Sequence, residues 1–316
     1  MFRTLLVPLD GSELAERALP YATKLASAGR GKLILVRVAL APPPATLDGA
    51  SWVQEQSEAV AEAEQYLAEV ATMLRTRVPV ETSVPYGRAA HLILDSITET
   101  GADAVVMATH GRTGVRHLLV GSVAEAVIAG SPVPVFVTYA RPGEAPPAPF
   151  DPMHARVLVP LDGSPFAEAA LPTAAELVGS GGELALVTVV EPPQHVERDQ
   201  NGFVRAYLDQ QEEALTREAR DYLHHVLTQY PTLRASVDVR LGAPAAGIIM
   251  AAVDHVSDLV VMASHGRTGL RRAVFGSVTG AVLRDGSTPV LVVHPQLTVT
   301  PAAVPAPLDS RMSIRP

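Results

Sequence analysis

A chain of 316 residues, 47% hydrophobic and 18% charged, has the make-up of an ordinary globular protein and material for about two domains of roughly 150 residues each. Its formal net charge of −8 argues against general adhesion to nucleic acid or to an anionic membrane, since both need clustered Lys and Arg. The lack of cysteine excludes disulfides, thiol catalysis and cysteine-ligated zinc or iron–sulfur centres together.

The first apolar run, Leu5-Leu6-Val7, is cut by Pro8 and Asp10, too early for a signal peptide, and reads as a buried strand. No uninterrupted apolar run reaches the ~18 residues of a membrane span, so a soluble cytoplasmic protein is expected. Strands are predicted near 3–8, 33–38, 79–84, 103–108 and 133–138, with helices near 12–28, 53–76, 88–99 and 121–130. The helix near 53–76 carries Ala59, Ala63, Tyr66, Leu67, Val70 and Leu74 at helical spacing, with Glu55, Glu58, Glu62 and Glu69 on a solvated face. A proline-rich stretch over 141–154 reads as a linker. Strands then recur near 155–160, 184–190, 235–240, 258–263 and 288–293, and the residues 296–316 are expected to be a disordered tail. Runs such as Ala104-Val105-Val106-Met107 and Leu259-Val260-Val261-Met262 are apolar without alternation, as parallel strands covered on both faces should be. The fold class is therefore α/β: two doubly wound, Rossmann-like parallel-sheet domains in tandem, over 1–140 and 155–295.

The tandem reading rests on repetition. Val7-Pro8-Leu9-Asp10-Gly11-Ser12 recurs letter for letter as Val159-Pro160-Leu161-Asp162-Gly163-Ser164. His110-Gly111-Arg112-Thr113-Gly114 recurs as His265-Gly266-Arg267-Thr268-Gly269, and Gly121-Ser122-Val123 as Gly276-Ser277-Val278. In an open parallel sheet, ligands bind beyond the carboxyl ends of the strands, where both motifs should meet. Asp10 and Asp162 can accept hydrogen bonds from a ribose hydroxyl or an adenine amino group. They can equally shape a turn before a helix, with Ser164 at the cap and Pro165 at the first helical position. Glycine-rich backbone and free amides at a helix start attract phosphate, and Ser122-Val123-Ala124-Glu125 also matches a capping box. One such loop would pass for a flexible connection, but the same spacing from Gly111 to Gly121 and from Gly266 to Gly276 favours function. Neither copy has the phosphate loop ending in Gly-Lys-Ser/Thr or the Gly-x-Gly-x-x-Gly of dinucleotide folds.

Taken together, Val-Pro-Leu-Asp-Gly-Ser, Val-Val-Met-Ala-Thr/Ser-His-Gly-Arg-Thr-Gly and Gly-Ser-Val resemble the universal stress protein family, twice over. The resemblance covers nearly all of 3–139 and 155–294. It implies that ATP binds, with Mg²⁺ arriving on the phosphates, and that Pro8-Leu9-Asp10 and Pro160-Leu161-Asp162 hold the adenosine. Backbone at Val38 and Val189 would contact adenine, and Met107 and Met262 would line its pocket. The phosphates would fall to Gly111, Gly121, Ser122 and Val123, and to Gly266, Gly276, Ser277 and Val278, with Arg112 and Arg267 close by. The family's first loop glycine is replaced by Ala108 and Ala263, a neutral change in extended backbone and a strained one at positive φ.

His110 and His265 have no positioned Ser, Cys or acid and read as loop-shaping residues. His224 and His225, adjacent on a helix, point different ways and do not share a metal. No catalytic residue and no dedicated metal site is expected. Three classes of function remain: an ATP-dependent stress-response module, which leads; a slow ATPase, for which neither loop supplies a lysine; and a protein-interaction module without nucleotide. The last strands, Val133 to Thr138 and Pro289 to Val293, would be exposed edges in isolated domains. The family pairs them, which implies an intramolecular pseudo-dimer, and two chains can then form a homodimer.

Overall fold

The computed structural model describes residues 1–39, 49–110, 121–140, 149–152, 154–179, 181–192, 208–264 and 276–295. In its first half run β1 (Thr4–Pro8), α1 (Glu13–Glu16), α2 (Leu19–Gly29), β2 (Lys32–Val36), α3 (Gly49–Leu74), β3 (Val80–Ser83), α4 (Ala89–Thr100), β4 (Ala104–His110), α5 (Ser122–Gly130) and β5 (Val135–Ala140). The second half repeats the order as β6 (Arg156–Pro160), α6 (Pro165–Glu168), α7 (Leu171–Val178), β7 (Glu183–Val190), α8 (Leu208–Leu227), β8 (Ala235–Leu241), α9 (Pro244–Asp254), β9 (Leu259–Ala263), α10 (Ser277–Asp285) and β10 (Val290–Val293). No described helix is long and apolar enough to cross a membrane. The 296–316 tail and most of the 141–154 linker lie outside the described residues.

All ten strands form one sheet in the order β3-β2-β1-β4-β5-β10-β9-β6-β7-β8. Pairing is parallel within each half and antiparallel only between β5 and β10, where Phe136 faces Leu291 and Val137 faces Val290. The expected pairing of the two last strands is thus present, and it turns two edges into the centre of a sheet. One apolar layer, with Leu25, Leu67, Leu177 and Leu223, fills the face under α2, α3, α7 and α8. The opposite layer, with Ile93, Ile97, Ile128 and Leu283, lies under α4, α5, α9 and α10.

Three sequence expectations need correction. The single helix near 12–28 is two, α1 and α2, separated at Arg17 and Ala18. Pro20 stands in the first turn of α2, where its missing N–H costs nothing, whereas a continuous helix would set its ring against a carbonyl one turn back. Pro172 divides α6 from α7 in the same way. The strand expected from 133 begins at Val135, because Pro134 donates no hydrogen bond and the Ser131 hydroxyl ties up both backbone groups of Val133 (2.7 and 3.2 Å). The third correction is that the capping box at Ser122 does not form. Gly121 and Gly276 occupy the cap positions of α5 and α10, and neither helix has a side-chain cap.

Candidate functional site

A cavity of about 460 Å³ opens at the carboxyl ends of β1, β2 and β4, between α3, α4 and the start of α5. That volume lies within the usual range for small-molecule sites. Pro8, Leu9, Asp10, Val38, Met107, Ala108, Gly121, Ser122 and Val123, predicted from separate motifs, all line it. Gly111, Arg112, Gly266 and Arg267 lie outside the described residues.

Asp10 shows how the alternative readings of the first motif combine. Its Oδ1 accepts from the Ser12 amide (2.9 Å) and hydroxyl (2.6 Å), while Ser12 Oγ caps α1 by accepting from the Ala15 amide (3.1 Å). Asp162, Ser164 and Ala167 repeat the arrangement at 3.0, 2.6 and 3.1 Å. The serine is the cap and the aspartate orients it with one oxygen, leaving the other carboxylate oxygen without a hydrogen bond among the described residues. Gly11 makes the turn possible with φ +87°, and an added Cβ there would sit 3.3 Å from the Arg37 guanidinium. Left-handed backbone and a close neighbour both call for glycine.

Met107 is buried midway along β4, and Ala108 continues that strand in register with Thr138. Neither Ala108 nor Ala263 has positive φ, so the alanines that replace the family's glycine sit in ordinary strand geometry. At the far wall, Gly121 starts α5 without a side chain to occupy the first-turn amides. Free amides at the positive end of the helix dipole suit an anion.

Arg37, Ala59 and Glu62 line the same cavity and were not picked out as site residues by sequence. Glu62 and Ala59 read there as parts of an amphipathic helix. The Arg37 guanidinium donates to Glu62 Oε1 (3.0 Å), lies 4.8 Å from the centre of the Tyr66 ring and is 19% exposed. Tyr66 in turn donates to Glu16 (2.9 Å); burial and the Glu16 carboxylate push its phenol pKa well above the usual tyrosine range, so it stays a donor. A lone cation ending the apolar run Leu33-Ile34-Leu35-Val36 was the one available signal for Arg37.

The second half carries Pro160, Leu161, Asp162, Val189, Met262, Ala263, Gly276, Ser277 and Val278 at the matching places in its strands and helix. Its differences lie in the surrounding residues. Thr188 replaces Arg37 and donates to the Leu161 carbonyl (3.0 Å). Tyr222 repeats the role of Tyr66, donating to Glu168 at 2.9 Å.

A family model described as "Universal stress protein family" matches residues 1–138 and again 153–294. Universal stress protein Rv2005c of Mycobacterium tuberculosis is 28% identical over 296 residues, covering 92% of this chain and 96% of its own. A universal stress protein of Thermus aquaticus is 35% identical over 138 residues, or 43% of this chain and 98% of that protein. Among solved structures, a universal stress protein from Archaeoglobus fulgidus superposes with a TM-score of 0.68 at 22% identity, covering 92% of this chain and 98% of that one.

Proposed function

This chain belongs to the universal stress protein family, in tandem form, and on that premise we propose that it is an ATP-binding regulatory module rather than an enzyme. The observation that carries the reading is the first-half cavity, which brings to one end Asp10, with one carboxylate oxygen free of hydrogen bonds among the described residues, and to the other the start of α5, which has no side-chain cap among them. A nucleoside triphosphate has the complementary layout: hydroxyl donors on the ribose, an apolar base and a polyanionic tail. Asp10 would accept from the ribose, the backbone at Val38 would read the base, and Met107 and Ala108 would form the floor beneath it. Gly121, Ser122 and Val123 would meet the phosphates, with Gly111 and Arg112 completing that end and Mg²⁺ riding on the phosphate oxygens. The binding unit is residues 1–140, joined through 141–154 to its relative over 155–295, and the protein works in the cytoplasm.

Among the described lining residues, the open oxygen of Asp10 is assigned to the ribose and Glu62 is paired with Arg37, so neither carboxylate is assigned to activating water. Binding would therefore act by shifting conformation or partner choice. Isothermal titration of ATP into the chain tests the reading. Asp10→Ala removes a hydrogen bond to a charged group, about 1.5–3 kcal/mol, and is expected to weaken ATP roughly tenfold to a hundredfold. Unchanged affinity, with the fold intact by circular dichroism, would reduce Asp10 to a turn residue and refute this assignment.

A further inference from the structure

The two halves keep the same motif letters but differ in the residues that close over them. In the second half, a Cβ built on Gly247 of α9 would stand 2.7 Å from Val189 Cγ2 and 2.8 Å from Cγ1. Helix α9 therefore lies so close on β7 that only glycine fits beneath it. The place matching Gly247 in α4, counted from Gly242 and Gly87, holds Leu92. The Leu92 side chain lies toward Gly87, its Cδ1 3.2 Å from where a Cβ on that glycine would stand, and Val38, the counterpart of Val189, lines an open cavity. Two further walls change in the same direction. Ala59 on α3 and Ala39 after β2 line the first cavity; Leu215, aligned through the paired tyrosines Tyr66 and Tyr222, and Val190 stand in their places. An isobutyl group, 38% exposed, and a half-buried isopropyl group thus replace two methyl groups at the positions that match the walls of the first cavity. Charge follows shape, for the Arg37 that offsets Asp10 and Glu62 in the first half becomes Thr188, while Asp162 and Glu218 keep their carboxylates.

We infer that the chain holds one nucleotide, in the first half alone, and that the second half is a closed counterpart whose motif serves the fold. The inference rests on the ATP reading above and makes a separate claim, about stoichiometry and location. Nucleotide-stripped full-length protein, titrated with ATP and Mg²⁺ in a calorimeter, is expected to bind one equivalent. Ala59→Leu, which gives the first cavity the wall of the second, is expected to weaken binding more than tenfold and to leave no other equivalent, with its thermal melt unchanged. Asp10→Ala provides the same readout should the leucine variant fail to fold. Two equivalents in the unmodified chain, or one equivalent of unchanged affinity after Ala59→Leu, would overturn the inference and leave the ATP reading standing. An isotherm without heat for the unmodified chain, supported by equilibrium dialysis with labelled ATP, would instead overturn the ATP reading itself.

Discussion

The seam of the sheet and its outer rims are built on different terms. At the seam, Val135, Phe136, Val137, Val290, Leu291 and Val292 are buried, and the pairing sets counterpart residues of the two halves against each other. At the rims, β3 and β8 are short or half-exposed along their lengths, and the helices beside them differ between halves. The outward positions of α4 at Asp95, Thr98 and Gly101 are polar or bare, whereas those of α9 carry Met250, Val253 and Val256, each 60% exposed. Burial against a near-copy leaves little freedom, because any change in volume is felt on both sides. The rims have no such constraint and have diverged.

The largest effect should therefore come from the seam. Phe136 stacks with Tyr21 (5.3 Å between ring centres) and with Phe150 (6.1 Å), which enters from the segment ahead of β6. Phe136→Ala is expected to lower stability by about 3–5 kcal/mol, read as a shift in urea midpoint; a loss under 1 kcal/mol would mean that the seam contributes little. Next comes Tyr139, whose buried hydroxyl donates to the Val282 carbonyl of α10 (3.1 Å) and so ties the first half to the second. Tyr139→Phe removes that tie while the carbonyl keeps the Gly286 amide (2.9 Å), and should cost about 0.5–1.5 kcal/mol, read as a shift in urea midpoint.

The counterpart of Tyr139 is His294, and there the symmetry fails chemically. Both ring nitrogens are buried without a hydrogen-bond partner among the described residues, and burial holds the imidazole below the ordinary histidine range even with the Ile128 backbone beside it. The folded state thus resists a proton that the unfolded chain takes up near pH ~6.5. Stability is full above that pH and falls as the solution is acidified through it. Urea titrations at neutral and mildly acidic pH should show the loss, and His294→Tyr should flatten the difference; an equally steep dependence in the variant would acquit His294.

The smallest effect belongs to the rim. Gly101 closes α4 with φ +63°, while at the matching place after α9 a β-branched residue, Val256, is held at φ +48°. Gly101→Val should destabilise by about 1–2 kcal/mol, whereas Val256→Gly should gain or lose less than ~1 kcal/mol, the relief of strain being offset by a more flexible unfolded chain. Equal and opposite thermal shifts for the two variants would contradict that account.

Much of this was legible in the letters. The repeated Val-Pro-Leu-Asp-Gly-Ser and Gly-Ser-Val fixed the tandem α/β halves, and the unbroken apolar runs gave parallel strands buried on both faces. Pro20 was visible, yet the split of α1 from α2 was missed because helical periodicity continues across Arg17 and Ala18. The cap at Gly121 was misread as Ser122, since a capping box is defined by a spacing that glycine at the true cap also permits. Arg37 and Ala59 belong to the cavity only because α3 crosses above β2, a contact between segments that no local pattern encodes. The approach of α9 to β7 was equally invisible, for Gly247 reads as an ordinary weak point in a helix until its distance to Val189 is known.

The antiparallel junction of β5 and β10 has one more consequence. Strands that run parallel within each half point their carboxyl ends in opposite directions across that junction, so the two motif-bearing rims look away from each other. A pair of identical single-domain subunits joined in this way would be obliged to carry the same cleft at both poles, since one gene writes both. Here two separately mutable stretches of one gene write them. Leu215 and Val190 can therefore accumulate at one pole while Ala59 and Ala39 persist at the other, and the molecule acquires a front and a back.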